Sequence, residues 1–138
     1  MTEANHFYIL GFDPGRDKCG VAVRSAAGLI VEHQVIPAGE AIAILQTLCQ
    51  RYPIAQIVLG NQTTAKQWQR EVQRALPDIA IALVDERYST LEARDRYWQM
   101  YPPQGLQKLM PQSLRQISRP IDDIVAILLI ERYLQAQT

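Results

Sequence analysis

Residues 7–24, FYILGFDPGRDKCGVAVR, decide the fold. Phe7 to Phe12 is a nearly unbroken apolar run, as expected of a central strand covered on both faces, and Asp13-Pro14-Gly15 closes it with a turn. Cys19 to Arg24 then alternates, with Val21 and Val23 on one face, so the chain returns antiparallel to its first strand. Asp13 is thereby set at the end of a central strand, the edge where ligands gather in open α/β sheets.

Working outward, the Ala26-Ala27-Gly28 turn leads into a third alternating strand, Leu29 to Ile36, which Pro37 and Gly39 end. Ala41 to Arg51 carries Ile42, Leu45, Leu48 and Cys49 at helical spacing, and Gln56 to Leu59 follows as a short apolar strand. A helix between two strands predicts a parallel crossover. The unit recurs: Thr64-Ala-Lys-Gln67 resembles a capping box opening a polar helix through Trp68, Val72 and Leu76, and Ile79 to Val84 is the next strand. Ser89-Thr90-Leu91-Glu92 resembles a second capping box, for a helix reaching about Met100. The Gln-rich stretch to Ser118, broken by Pro103, Gly105 and Pro111, reads as a mobile loop with a helical turn near Leu106 to Met110. A final helix from about Pro120 to Gln135 is apolar nearly all round and should pack deep. The order β-β-β-α-β-α-β-α-α predicts an α/β fold: a mixed five-stranded sheet, three antiparallel strands and then two parallel crossovers, flanked by helices.

Composition narrows the function classes. At 138 residues, with 48% hydrophobic and 20% charged residues, the chain reads as one soluble domain, 1–138, able to bury a real core. The longest apolar run, Ile124 to Ile130, is far short of the roughly 20 residues that cross a bilayer. MTEANHFYIL has no basic stretch before its apolar segment, so the expectation is a cytoplasmic protein without a membrane partner. Cys19 and Cys49 stand alone, which gives zinc or a disulfide little support. Net charge is zero, but the charges are unevenly spread. From Tyr101 to Pro120 they are only Lys108, Arg115 and Arg119, and Lys66, Arg70 and Arg74 outnumber Glu71 between Asn61 and Leu76.

Three carboxylates carry the chemistry: Asp13, Glu86 in VDERYST, and Asp122 in RPIDDIVA. Each falls at a strand end or a helix start. Acids brought to one sheet edge from distant parts of a chain repel one another unless a cation sits among them, and oxygen ligands suit Mg²⁺ or Mn²⁺. Asp122 and Asp123 are adjacent at a helix start, where the macrodipole favours acids without any catalytic role. Their side chains diverge by about 100°, so only one should face a metal. Neither His6, before the first strand, nor His33, in the third, is placed for catalysis.

The element order together with GFDPGRDKCGVAV, VDERYST and IDDIVAILLIERYL resembles the YqgF/RuvX family of the RNase H-like superfamily, over essentially the whole chain. The resemblance implies a metal-dependent endonuclease acting on structured nucleic acid, either branched DNA at Holliday junctions or precursor 16S rRNA. It aligns Asp13, Glu86 and Asp122 with the family's acids, as catalytic residues and ligands of Mg²⁺ or Mn²⁺. Lys18, Asn61, Lys108, Arg115 and Arg119 are the candidates for holding the nucleic-acid backbone, and Arg16 lies in the same turn as Lys18. A symmetric four-way junction would call for a homodimer with two active sites. After the fourth strand this chain has LGNQTTAKQW where many members have Gly-Leu-Pro, then Asn and a Gly-rich loop. That departure is closer to the YqgF-like domain of Tex proteins and supports an alternative, a non-catalytic nucleic-acid-binding module on the same fold.

Overall fold

A computed structural model describes residues 7–137. Its strands are β1 (Tyr8–Asp13), β2 (Lys18–Arg24), β3 (Ile30–Pro37), β4 (Ile54–Gly60) and β5 (Ala80–Val84). The helices are α1 (Ala41–Arg51), α2 (Ala65–Ala75), α3 (Ser89–Met100) and α4 (Asp122–Ala136), with 3-10 turns at Ala38–Glu40, Gly105–Leu109 and Gln112–Leu114. The five strands form one mixed sheet in the order β3-β2-β1-β4-β5. β1 pairs antiparallel with β2 and parallel with β4, and β5 adds parallel to β4. The mixed five-stranded layout expected from the element order is the one observed.

Strand alternation sorts the core into two layers. Leu10, Phe12, Val21, Val23, Ile57 and Leu59 pack with Leu45 and Leu48 of α1 and Val72 of α2. Ile9, Ala22 and Val58 face the other way, onto α4 and Ala93 of α3. Asp13 follows Ile9 and Gly11 by alternation and so belongs to the α4 side.

The approach of α4 explains two glycines. A Cβ on Gly11 would strike the Ala126 carbonyl, and one on Gly20 would strike the carbonyl of Asp122. Gly20 is paired with Asp13 in the sheet, so the backbone of α4 begins directly over the strand end that carries the first acid. The helix backbone, rather than a neighbouring strand, is what needs the space at Gly20. From Asp123 to Ile130 every residue of α4 is buried, consistent with an apolar segment enclosed by sheet and α3.

The helix starts depart from the expected signals. Thr64 is the residue before α2 and makes no side-chain cap, and the residue before α3 is Tyr88, in the left-handed region at φ 62°. Neither capping box forms. α4 starts at Asp122 after Ile121, so Pro120 lies outside the helix rather than in its first turn. The expected loop from Tyr101 to Ser118 is organised by its two 3-10 turns and by Arg115, whose Nε donates to the carbonyls of Gln107 and Met110 at 3.1 and 3.2 Å. Among the described residues, no helix is long and apolar enough to cross a membrane. His6 lies outside the described residues.

Candidate active site

Parallel strands deliver their C-terminal ends to one edge of the sheet, and here β1, β4 and β5 do so side by side. Asp13 ends β1, Gln62 stands two residues beyond β4, and Glu86 two residues beyond β5. Gln62 ties them together: its Nε2 donates to Asp13 Oδ1 at 2.8 Å and to Glu86 Oε2 at 3.0 Å. Gly60 leaves the room for Glu86, since a Cβ there would stand 3.0 Å from Oε2.

The electrostatics of this pair are unusual for carboxylates. Burial, then the charge of Glu86, then that of Asp122, push the Asp13 carboxyl up to about 8, helped by its hydrogen bond with Glu86 and opposed by the one from Gln62. Two adjacent acids at a poorly hydrated edge cannot both ionise cheaply, so one keeps a proton. Glu86 Oε1 is buried without a hydrogen-bond partner. Such an orphaned acceptor, in a set of oxygen donors only, fits a hard divalent cation. As the side chains stand, no three His, Cys, Asp or Glu groups among the described residues form a ready cage for a metal ion. Asp13 and Glu86 are in contact, whereas Asp122 acts on Asp13 through its charge alone.

The two aspartates that open α4 have different surroundings. Asp122 is half-buried, and its charge reaches both Asp13 and Cys19. Asp123 is buried, and its Oδ2 accepts from Arg119 at 2.7 Å and contacts His33 Nδ1 at 2.6 Å. Asp123 thus joins β3, the segment before α4 and α4 itself. His33 has a structural partner far along the chain, a role that its place in an alternating strand did not signal.

The expected phosphate-binding residues divide in two. Lys18 and Lys108 are exposed, and their side chains make no ion pair or hydrogen bond among the described residues; Asn61 is an exposed lining residue of a cleft of about 630 Å³ beside Glu86. Arg16, Thr63, Trp68 and Arg87 share that lining. Arg115 and Arg119 are instead committed within the chain: Arg115 holds the 3-10 turns and lies 5.4 Å from the Trp98 ring, while Arg119 holds Asp123. Of the aromatic residues, Trp68 packs edge-on against Phe12 and Trp98 against Tyr97, while Tyr88 is exposed. Gln62 escaped sequence reasoning, although its place just after a strand of the same edge was a signal as good as that of Asn61.

The model of the RuvX family, described as a Holliday junction resolvase, matches residues 7–136. A protein of Phocaeicola vulgatus described as "Putative pre-16S rRNA nuclease" is 23% identical, over 94% of this chain and 96% of its own length. One of the same description from Azobacteroides pseudotrichonymphae is 24% identical, over 92% and 95%. Among solved structures, Thermus thermophilus RuvC superposes with a TM-score of 0.55 at 13% identity, covering 95% of this chain and 97% of that one, a likeness of fold. With its RuvC-like sheet, its acids at the shared strand ends and a family match along nearly its whole length, the chain is a member of the RuvX family.

Proposed function

We propose that this protein is a divalent-metal-dependent endonuclease that hydrolyses phosphodiester bonds in structured nucleic acid, with Asp13, Glu86 and Asp122 as its catalytic acids. The names of its relatives support precursor 16S rRNA over branched DNA as the substrate, and a cytoplasmic setting for the work is part of the same proposal. The observation that carries the reading is the acid pair itself: Asp13 held near 8 against Glu86, with a buried Glu86 oxygen left without a partner. A pair that gave only structure would be expected to end with its acceptors satisfied.

Asp13 and Glu86 would hold Mg²⁺ or Mn²⁺ between them, with Asp122 as the third acid, and the ion would supply charge neutralisation for a phosphodiester and a more acidic water. The chain's own contributions can be derived separately. Asp13 would give up its proton if the pair took up a cation, so binding should release protons near neutral pH. Arg16, in the turn between Asp13 and β2, lines the cleft with Asn61 and Thr63, and Lys18 opens β2 beside that turn, so a phosphate backbone entering the cleft meets cations and neutral donors before the acids. Arg119 and His33 keep Asp123 occupied, which leaves Asp122 as the free acid at the start of α4.

Purified protein incubated with precursor 16S rRNA and Mn²⁺ should release shortened product, and Asp13→Asn should not. Binding without cleavage at every metal tested would replace the nuclease with the non-catalytic module that the LGNQTT stretch also suits.

A further inference from the structure

Gln62 carries a role beyond its place in the cleft wall. One nitrogen donates to Asp13 at 2.8 Å and to Glu86 at 3.0 Å, so it sits between the two carboxyl groups. A cation shared by the same two acids would need that position. The amide is a partial substitute for charge: it offers two N–H groups and no net charge, and it leaves Glu86 Oε1 without a partner. Glu86 occupies the space that Gly60 leaves, whereas the cleft of about 630 Å³, which Gln62 itself lines, gives the Gln62 side chain somewhere to go.

From this geometry we infer that Gln62 competes with the metal ion for the space between Asp13 and Glu86, holding the two acids together when no cation is bound and lowering the apparent affinity when one arrives. The inference rests on reading Asp13 and Glu86 as metal ligands. It concerns a residue outside the three acids, and it makes opposite demands on the metal-free and metal-bound protein. Without metal, Gln62 stabilises the pair through two hydrogen bonds. With metal, those bonds must be given up.

The test is calorimetric titration of the full chain with Mn²⁺, for the wild type, Gln62→Ala and Gln62→Leu, with Asp13→Asn as control. Removing the competing amide should tighten Mn²⁺ binding on the order of tenfold, the scale set by charge-assisted hydrogen bonds that no longer have to break. The same two variants should melt below the wild type in EDTA and recover part or all of that deficit in saturating Mn²⁺. A residue with a merely structural role would lower both melting temperatures equally. Unchanged or weaker Mn²⁺ binding in both variants overturns the competition while leaving the acid site intact. Absence of Mn²⁺ binding in the wild type, or binding that survives Asp13→Asn, defeats the metal-site reading and the inference with it. Should Gln62→Ala fail to fold, Gln62→Asn, one methylene shorter, carries the same expectation.

Discussion

Replacing Asp13 with Asn should make the metal-free protein more stable at pH 8, although it removes a central residue of the site. Asp13 is 6% exposed, so solvent screens little of its interaction with Glu86 and Asp122. Its folded-state value of about 8 lies above the ordinary 3.8, so the native protein binds this proton more tightly than the unfolded chain does. The stabilisation is therefore complete below about pH 4 and is lost as pH rises through about 8. At about 1.4 kcal/mol per pH unit, the window of about 4 units is worth up to about 6 kcal/mol. Asn cannot ionise, and its contribution should be flat across the same range. Urea unfolding followed by circular dichroism in EDTA, at intervals from pH 4.5 to 8.5, reads the difference between the two proteins. The wild type should lose ground steadily toward pH 8, and saturating Mn²⁺ should restore it at pH 8 but should not affect the variant. Parallel pH profiles, or a variant less stable than the wild type at pH 8, would refute the account of the acid pair.

Other substitutions separate the roles assigned at the start of α4. Asp122→Asn should abolish cleavage and leave the melting temperature near that of the wild type, whereas Asp123→Asn should cost about 3–5 kcal/mol in denaturant unfolding, because it breaks a buried contact with Arg119 and His33. Gly20→Ala should push the α4 backbone away from the sheet, costing about 1–3 kcal/mol and most of the activity; an active variant of native stability would show that the close approach is unimportant. Neutralising Arg16 and Lys18 should flatten the log–log salt dependence of RNA binding by roughly 0.7–0.9 per lost phosphate contact. Arg115→Ala, by contrast, should leave that slope alone and expose the segment from Tyr101 to Ile121 to proteolysis, since its contacts are to backbone carbonyls of the same segment.

The sequence was most legible where a local period met a buried layer. The apolar run of β1 and the all-round apolarity of α4 each follow from burial on every side, a local property, whereas the alternation in β2 pointed to one buried face and α4 covers the other, so its interior is buried throughout. Helix starts were less legible. Tyr88 adopts a left-handed conformation ahead of α3, where Ser89 and Glu92 offered a capping box. The acids themselves stood out by type and position. Their partners did not: Gln62 reaches Asp13 across 49 positions of chain, and His33 reaches Asp123 across 90. The same holds for Arg115 and Arg119, whose spacing before the last acid resembles a phosphate grip while their hydrogen bonds turn inward.

The central claim, that these acids form a metal-dependent nuclease site, is tested most directly by one cleavage assay. Precursor 16S rRNA and a four-way DNA junction, each end-labelled, are incubated with the wild type, Asp13→Asn and Asp122→Asn in Mg²⁺, Mn²⁺ or EDTA, and the products are resolved on denaturing gels. The account predicts discrete products from the precursor rRNA with the wild type in Mg²⁺ or Mn²⁺, and none in EDTA or with either variant. Cleavage that persists in EDTA, or in both variants, would contradict it.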